Sequence, residues 1–506
     1  MATRKKTKQK AEFGDFQTPR DLAGQACSLL ARMGLRPSCI LEPNCGKGSF
    51  LLAAIEHFPS AKDIVGVEIN REYVNTARSA VTKVAPSGIN IRIINEDFFK
   101  VQWKSILESL PDPLLVIGNP PWVTNAELGI LGSSNLPVKS NFQNRRGFDA
   151  ITGKSNFDIS EWMLIRELEW IKARQATLAM LCKTAVARKV LCHAWKNGLH
   201  LKQSDIYLID AAKHFGAAVD ACLLVVMTYL DNGNFDCQVH ESLEAESSIN
   251  VFGYRDERLV SNVTAFDRWK HLAGEGHYKW RSGIKHDCSK LMELREENGR
   301  YRNGLGELVE LEADYLYPML KSSEVAKGKD LQPSRWMLVT QHHIGENTRH
   351  IQILAPKTWH YLLKHAQLLD KRSSSIYRNR PRFSVFGVGD YSFIQWKVAI
   401  SGLYKKLHFR VVGPFKNKPV VLDDTCYFIA CKSSKEAFFL AQLLNSEIAK
   451  NFFSALIFWD EKRPITLGVL SRLDILALAR DLNLEEALNE FLRDQQTSND
   501  QLSLFS

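Results

Sequence analysis

The chain has 506 residues, 45% of them hydrophobic and 24% charged, which is ordinary for a globular protein and leaves room for two or three domains. Its formal net charge of +10 favours a polyanionic partner but says nothing about the fold. No uninterrupted apolar stretch is long enough to span a bilayer, so a membrane-spanning class is excluded.

The beginning of the chain and its cysteines both indicate an intracellular protein. Residues 1–12 are basic and lack the apolar core of a signal peptide, so we predict a disordered basic arm there. The ten cysteines are scattered and form no CxxC pair, which argues against a disulfide framework or a zinc site. We therefore expect a cytoplasmic protein without a bound metal.

Short apolar runs alternate with helical patterns through the first half of the chain. The predicted strands lie at 39–41, 64–67, 91–94, 114–117, 176–181, 205–209 and 221–229. Predicted helices lie between them, at 50–57, 73–84 and 161–172. Strands separated by helices imply an α/β domain with a doubly wound, mostly parallel sheet.

The alternation fades near Asp231, where a polar, turn-rich stretch begins, and we place a domain boundary after residue 235. The predicted domains are therefore 13–235 and 236–506, the second with mixed short strands and helices. This second half is rich in basic and aromatic residues, which suit contact with phosphates and base edges. The alternative is a solvated basic surface.

The candidate nucleic-acid contacts fall in three basic clusters of the second half. They are Arg281, Lys285, Arg378, Arg380, Arg382, Lys405 and Lys406. The three arginines of the middle cluster alternate along the chain, and on an extended segment this spacing would place them on one side.

A glycine-containing loop, Glu42-Pro43-Asn44-Cys45-Gly46-Lys47-Gly48, follows the first predicted strand. Its glycines let the backbone approach a ligand closely just before a helix begins. Alone this is a weak signal, because many strand-to-helix turns contain glycines. Glu68 closes the second strand, where a carboxylate can accept both hydroxyls of a ribose. The alternative is a surface glutamate.

The third and fourth predicted strands also end in groups suited to a nucleotide. Asp97 can accept a hydrogen bond from an adenine amino group, and Phe98 can pack on its ring. The fourth strand leads through Gly118 into Asn119-Pro120-Pro121-Trp122. The prolines fix φ and hold the amide and the carbonyls in set directions, while the indole offers a stacking face. Such a site suits a planar substrate with an amine; the alternative is a turn with an exposed tryptophan.

In this order the motifs resemble those of the S-adenosylmethionine-dependent DNA adenine-N6 methyltransferases, in particular the TaqI-like (gamma) class. Phe16-Gln17-Thr18-Pro19 resembles the FxTP-type motif that precedes the glycine loop in that family. Residues 153–158 resemble a later motif that lies near the cofactor, and the stretch from His214-Phe215-Gly216 to Val226 resembles the motif that borders the target-base pocket. The resemblance covers roughly residues 12–230 and, more loosely, 371–412. Trp122 departs from the commoner Tyr or Phe but keeps the stacking face.

The resemblance implies a Rossmann-like methyltransferase sheet followed by a mixed α+β target-recognition domain. It implies S-adenosylmethionine as cofactor, held by Thr18, Glu42, Gly46, Gly48, Glu68, Asp97 and Phe98. Asn119 and Pro120, with Pro121, would bind the amine of an adenine flipped out of double-stranded DNA, and Trp122 and Phe215 would stack on that base. The resemblance also implies a restriction-modification or phage-defence role in a prokaryotic cell, and the sequence leaves an unpaired regulatory role open.

Several alternatives share parts of this pattern. N4-cytosine methylation uses a related motif that more often starts with Ser. Protein-glutamine and RNA guanine-N2 methyltransferases also use it, but usually lack the early FxTP motif and a large basic module. A non-catalytic DNA-binding subunit would keep the fold without the intact Asn119, Asp97 and Glu68. No PD-(D/E)xK nuclease cluster appears, so cleavage would need a separate partner protein such as a restriction endonuclease.

Overall fold

The structure is a computed structural model that describes residues 17–123, 158–228, 233–328 and 331–493. The predicted basic arm, Phe16 and residues 153–157 lie outside the described residues. The chain divides into two compact units, Met1–Val263 and Thr264–Ser506.

The sheet of the first unit is built from short apolar strands. β1 and β4 are buried along their whole length, as expected where helices cover both faces of a parallel sheet. The strands are β1 (Cys39–Glu42), β2 (Asp63–Glu68), β3 (Asn90–Asn95), β4 (Leu114–Gly118), β5 (Ala176–Lys183), β6 (Gln203–Ile209), β7 (Ala221–Thr228), β8 (Asp236–His240), β9 (Asn250–Arg255) and β10 (Arg258–Val260).

Among the described residues these strands form one sheet in the order β10-β9-β8-β6-β7-β5-β4-β1-β2-β3. β3, β2, β1, β4 and β5 are parallel, and β7 runs antiparallel between β5 and β6. The prediction of an α/β, mostly parallel sheet is confirmed. Because β1 lies between β2 and β4, the strand order reverses there, and a crevice opens at the carboxyl ends of the strands.

Helices follow most strands of the first unit. They are α1 (Arg20–Arg32), α2 (Ser49–His57), α3 (Arg71–Val84), α4 (Trp103–Glu108), α5 (Ile159–Ile171), α6 (Thr184–Lys196) and α7 (Ala211–Phe215). Ile40 and Leu115 pack in one core with the buried faces of α1 and α2, while the alternate residues Leu41 and Val116 are equally buried. Helices thus cover both faces of the sheet, and α1 begins directly after Thr18 and Pro19.

The first unit ends later than the predicted boundary at residue 235. β8 pairs in parallel with β6, and β9 and β10 add antiparallel strands beyond it. β8 alternates polar and buried residues, so it lacks the continuous apolar run from which β1 to β7 were predicted. It is held partly by a buried contact of 3.2 Å between His240 Nε2 and Asp205 Oδ1.

The second unit is a mixed α+β structure with two sheets among its described residues, ordered β11-β20-β17-β18 and β14-β13-β12-β16-β15-β19. The strands are β11 (Arg281–Ser282), β12 (Glu293–Glu297), β13 (Arg300–Asn303), β14 (Leu308–Val309), β15 (Leu316–Leu320), β16 (Arg335–Leu338), β17 (Trp396–Ser401), β18 (Arg410–Val412), β19 (Val421–Leu422) and β20 (Cys426–Cys431).

The helices of this part of the chain are mostly short. They are α8 (Val263–Trp269), α9 (Ser289–Met292), α10 (Ser322–Lys327), α11 (Ile351–Leu354), α12 (Pro356–Lys364), α13 (Ala366–Asp370), α14 (Asp390–Phe393), α15 (Ser434–Leu444), α16 (Glu447–Ser454), α17 (Leu467–Leu470) and α18 (Ile475–Asp481). No helix in the described ranges has the length and apolar character needed to cross a membrane.

A lysine lies in the interior of the second unit. Lys397, on β17, is fully buried; its ammonium donates to the carbonyl of Ile394 and lies 5.9 Å from the centre of the Phe428 ring. Burial lowers the pKa of Lys397 from 10.5 to about 7, because the interior disfavours the charged form.

We expect this lysine to make the stability of the protein depend on pH. Between pH 7 and pH 10.5 the unfolded chain holds a proton on Lys397 that the folded chain has released, so stability rises with pH in this window and is lost as pH falls through it. Relative to a Lys397→Met variant, the free energy of unfolding of the wild type should rise by about 1 kcal/mol per pH unit between pH 7 and pH 9.5. Denaturant titrations measure this. If the difference in free energy of unfolding between the wild type and Lys397→Met does not change with pH, the prediction is wrong. A Lys406→Met variant, which replaces an exposed lysine, is the control.

Candidate active site

The glycine loop has a backbone that requires glycine at two positions. Gly46 and Gly48 have φ of 50° and 87°, in the left-handed region, and Gly48 immediately precedes α2. A Cβ on Gly46 would lie 2.8 Å from Gln17 Oε1, and one on Gly48 would lie 3.2 Å from the Cβ of Ala77. The loop is therefore packed closely between the segment before α1 and helix α3.

Glu68, at the end of β2, fixes this loop. Its Oε2 accepts the Gly46 N–H at 2.9 Å, and its Oε1 accepts the Asn70 N–H at 2.8 Å. Asn70 in turn caps α3. The carboxylate thus joins the turn after β1 to the helix after β2. Because each carboxylate oxygen can accept more than one hydrogen bond, binding of ribose hydroxyls by Glu68 stays a prediction compatible with these contacts.

Glu42 places a buried carboxyl at the end of β1. Its side chain is almost fully buried, and burial raises its pKa well above the usual range; the Leu51 N–H opposes this shift, and the nearby charge of Glu68 adds to it. Oε2 of Glu42 has no hydrogen-bond partner among the described residues. A cationic ligand would favour the ionised form and offset the cost of burying it.

Asp97 follows β3 and is largely buried. Its Oδ1 accepts the Phe99 N–H at 3.0 Å, so the carboxylate is held in one orientation. Asn95, at the end of β3, donates to the carbonyl of Glu68 at 2.9 Å, which ties the third strand end to the second. The predicted groups of these two strands therefore lie at one edge of the sheet.

Phe98 packs mainly against other aromatic side chains. Its ring centre lies 5.1 Å from that of Trp103 and 5.7 Å from that of Trp170, and Phe99 and Trp162 pack nearby. Only 6% of Phe98 is exposed, so little of the ring is available to a ligand. Adenine stacking by Phe98 stays a prediction, and the aromatic cluster around it was not anticipated from the sequence.

Thr18, from the motif before α1, is in contact with Asn119, from the motif after β4. Asn119, directly after β4, donates from Nδ2 to Thr18 Oγ1 at 3.2 Å across a sequence separation of 101 residues. The two residues thus lie at the same carboxyl edge as the glycine loop. Pro120 is buried and Pro121 half-buried, which keeps the turn rigid.

The two predicted stacking residues are in contact. The Trp122 and Phe215 ring centres are 5.0 Å apart, with the planes at 67°, and the indole N–H donates to the Leu181 carbonyl at 3.4 Å. Trp122 is 5% exposed, so it is not the exposed turn residue of the alternative interpretation. In this edge-on arrangement the rings must separate before a planar base can lie between them.

Sequence reasoning missed a lysine beside this turn. Lys183, the last residue of β5, donates from Nζ to Asp158 Oδ2 at 2.6 Å and to the Trp122 carbonyl at 3.2 Å. Asp158 caps α5, and the N–H of Ile159 donates to the Val123 carbonyl at 2.9 Å. No local pattern marks Lys183, because its partners are distant in sequence.

In the second unit two of the predicted DNA-binding residues have aromatic or acidic neighbours. The Arg281 guanidinium lies 4.6 Å from the centre of the Tyr391 ring, and Lys285 Nζ lies 3.7 Å from Asp287 Oδ1. Lys405 and Lys406 are exposed in the segment after β17. Their contact with DNA stays a prediction.

The expectation that Arg378, Arg380 and Arg382 share one side of an extended segment is wrong. Asn379 has φ of 59°, in the left-handed region that asparagine tolerates, so the segment turns at this residue. Arg382 forms an ion pair with Asp370 at 2.6 Å. Arg378 and Arg380 are exposed and have no ion pair within the described residues.

The turn that carries these arginines is joined to a neighbouring loop by buried polar side chains. Thr340 donates to the Phe383 carbonyl at 2.7 Å, Gln341 accepts the Val385 N–H at 3.0 Å, and Thr348 donates to the Arg382 carbonyl at 2.6 Å. We call residues 340–349 and 378–385 the paired loops. Because their joining groups are buried, they form one ordered surface.

The described residues contain no group of three or more His, Cys, Asp or Glu side chains arranged to hold a metal ion.

Comparisons with known proteins extend these observations. Residues 3–177 match the N-6 DNA Methylase family. The Type II methyltransferase M.NspV of Nostoc sp. is 48% identical over 474 residues, which are 94% of this chain and 98% of that protein. The modification methylase CviBIII of Paramecium bursaria Chlorella virus NC1A is 31% identical over 138 residues, 26% of this chain and 33% of that protein.

A solved structure shares the fold over most of the chain. The Type IIL restriction-modification enzyme MmeI, determined in complex with DNA, gives a TM-score of 0.52 at 13% identity and covers 90% of this chain and 64% of that one. At this identity the match supports the fold alone.

The sheet order, the glycine loop and the acidic strand ends define a Rossmann-like methyltransferase. The extent of the match to M.NspV decides the family: the chain belongs to the Type II DNA methyltransferases of the N-6 DNA Methylase class. Its activity is transfer of a methyl group to adenine N6 in DNA, as part of restriction-modification, and its cofactor is S-adenosylmethionine. The resemblance noted in the sequence is confirmed.

Asp97 offers a test of the cofactor site. An Asp97→Asn variant keeps an acceptor for the Phe99 N–H but exchanges the other carboxylate oxygen for a donor, which would face the adenine amino group of the cofactor. S-adenosylmethionine binding, measured by calorimetry, should weaken by about 1–3 kcal/mol. Exposed Glu96→Gln, one residue away, is the control. Equal affinity in wild type and Asp97→Asn would remove Asp97 from the site.

Proposed function

We propose that Asn119 and Pro120 bind the amine of a single flipped adenine in a specific double-stranded DNA site, and that the second unit selects that site. The observation that carries this proposal is the hydrogen bond between Asn119 and Thr18, because it assembles the amine-binding turn beside the glycine loop. The contact between Trp122 and Phe215 at the same turn supplies two aromatic faces.

The residue types suit the chemistry of an exocyclic amine. The adenine amine is a poor nucleophile because its lone pair is delocalised into the ring. Acceptance of one N–H by the Asn119 side-chain oxygen and the other by the Pro120 carbonyl favours a pyramidal nitrogen with a localised lone pair. These fixed acceptors also favour the positive charge that develops on nitrogen, and holding the amine in line supplies much of the rate.

The first unit also fits the cofactor, which supplies an electrophilic methyl group on a sulfonium. The Glu68 carboxylate places negative charge beside the glycine loop, and a cationic ligand there would favour the ionised form of the buried Glu42 carboxyl. Gly46 and Gly48 have no side chains, so the backbone of the glycine loop can approach the cofactor closely. Asp97 is oriented to accept a hydrogen bond from an adenine ring.

A base within a duplex cannot reach this turn, so the target must be extruded. Trp122 and Phe215 would then separate and stack on it, replacing their contact with each other by contacts to the base. The N-6 DNA Methylase match favours adenine over cytosine as the target, and the likeness to M.NspV favours DNA over protein or RNA.

The reaction can be tested at Asn119. Asn119→Ala removes the side-chain acceptor and should nearly abolish turnover while cofactor binding is largely retained. Mass spectrometry of nucleosides from the product DNA should find N6-methyladenine with the wild type only. Asn90→Ala, at the opposite edge of the same sheet, is the matched control and should stay active. N4-methylcytosine as the only product, or full activity of Asn119→Ala, would overturn the assignment.

We propose that the paired loops form the main surface that recognises the DNA sequence. Their buried threonine and glutamine bonds give an ordered scaffold, and Arg378 and Arg380 present guanidinium groups that are not committed to carboxylates within the described residues. Arginine suits this role because its fork can bind two acceptors on a guanine or a phosphate.

Arg380 and Arg382 form a matched pair for a test of this surface. If Arg380 reads a base, Arg380→Ala should reduce the binding free energy by about 1–3 kcal/mol, and only for DNA with the preferred base at that one position. If Arg380 contacts a phosphate, the variant should bind every sequence more weakly, and the slope of log K against log salt concentration should fall in magnitude by about one. Arg382→Ala should have a smaller effect, because this arginine already pairs with Asp370. Fluorescence anisotropy at several salt concentrations measures both. An Arg380→Ala variant with wild-type affinity and selectivity would contradict the proposal.

We also propose that this chain acts in the cytoplasm of a prokaryotic cell with a separate restriction endonuclease of the same specificity. The support is the absence of a PD-(D/E)xK cluster from the sequence together with the likeness to a Type II methyltransferase. A Type II methyltransferase marks sites that a partner enzyme would otherwise cleave.

A further inference from the structure

The end of β5 holds the amine-binding turn through a side chain that the sequence motifs do not include. We propose that Lys183 is a positioning residue for methyl transfer, which fixes the backbone carbonyl of Trp122 and, through it, the geometry of Asn119 and Pro120. Its Nζ lies 3.2 Å from that carbonyl and 2.6 Å from Asp158 Oδ2. The inference rests on the proposed role of Asn119 in binding the amine.

The contact is held in one geometry by its surroundings. The Lys183 side chain is 24% exposed and that of Asp158 is 7% exposed, so solvent screens this pair less than it screens a surface ion pair. The other oxygen of Asp158, Oδ1, accepts from the Ser160 N–H at 3.1 Å and the Ser160 hydroxyl at 2.6 Å. Asp158 is therefore oriented by the start of α5, and it orients the ammonium in turn.

β5 contacts Trp122 at two points. The Leu181 carbonyl accepts the indole N–H at 3.4 Å, and Lys183 binds the backbone carbonyl. Gly118, the last residue of β4, is paired with Met180 of β5, so the turn that follows β4 begins directly beside the end of β5. The ring and the backbone of Trp122 are thus both tied to the neighbouring strand.

The prolines transmit this restraint to the acceptors. Pro120 and Pro121 have restricted φ, so the turn between Asn119 and Trp122 has few ways to absorb a shift at one end. Loss of the Lys183 contact would therefore displace the acceptors that hold the amine. A displacement of about 1 Å can cost roughly 100-fold in rate.

The ion pair also balances charge near the reaction. An isolated ammonium beside the turn would oppose the positive charge that develops on the target nitrogen. The Asp158 carboxylate neutralises it at 2.6 Å, so Lys183 can bind the carbonyl without this penalty. The charge of the pair is therefore as relevant to the reaction as its geometry.

The test compares Lys183→Met with Lys183→Arg in the full-length protein. We expect Lys183→Met to lower kcat roughly 10- to 100-fold, with the Kd for S-adenosylmethionine within about twofold of the wild type. Lys183→Arg retains a donor for both oxygens and should recover most of kcat. Lys189→Met is the matched control, because Lys189 also pairs with a residue of α5, Glu161 at 3.2 Å, and should leave kcat unchanged.

If Lys183→Met does not fold, the kcat of an Asp158→Asn variant tests the same inference. This variant keeps the side-chain shape and an oxygen for Ser160 while weakening the hold on Lys183, so we expect a lower kcat at an unchanged melting temperature. An unchanged kcat in Lys183→Met, or in Asp158→Asn where the first variant is unfolded, would overturn the inference, as would failure of Lys183→Arg to recover activity. Activity of Asn119→Ala would instead refute the proposed function, whatever Lys183→Met does.

Discussion

The site depends on one constraint, the adjacency of β1 and β4 in a parallel sheet. β1 pairs with β2 on one side and with β4 on the other, and β4 pairs in turn with β5, so strands are added to the sheet in opposite directions from this point. The loop after β1 carries the glycines, and the turn after β4 carries Asn119. Sheet topology thus places the glycine loop and the turn that begins at Asn119 side by side at the same edge, and the hydrogen bond from Asn119 to Thr18 joins this turn to the segment before α1.

This arrangement concentrates carboxyl groups where the strands end. Glu42 is buried with a raised pKa, and Glu68 accepts two backbone N–H groups only one strand away. In the protein alone, the buried carboxyl is a cost to stability. A cationic ligand that binds only the folded state offsets this cost and adds its own binding free energy to folding. The Glu42 carboxyl, which we propose favours S-adenosylmethionine, is therefore a group whose burial destabilises the unliganded fold.

Much of the first unit could be predicted because its strands contain short apolar runs and its helices separate most of them: β1 to β7 lie where the sequence pattern places them. β8 was missed because it alternates polar and buried residues within a turn-rich stretch. The motifs that contain Glu42, Glu68, Asp97 and Asn119 could be found because each lies at the end of a strand, whereas the motif that contains Thr18 was found through the family resemblance. Lys183 could not, because its role comes from contacts to Trp122 and Asp158 that form only when β4, β5 and α5 pack together.

The basic surplus of the chain has meaning only after its charges are sorted by their partners. Arg372 donates to the carbonyls of Leu369 and Ser384, and burial lowers its pKa, so this arginine stabilises the turn and is not available to a ligand. Arg382 is held by Asp370. Arg378 and Arg380, in the same few residues, are exposed. Only cations that are not already neutralised can displace counterions from DNA, so the net charge of +10 does not give the number of cations that drive binding. Arg372 instead stabilises the segment from which Arg378 and Arg380 extend, because it binds the carbonyls of Leu369 and Ser384 on either side of them.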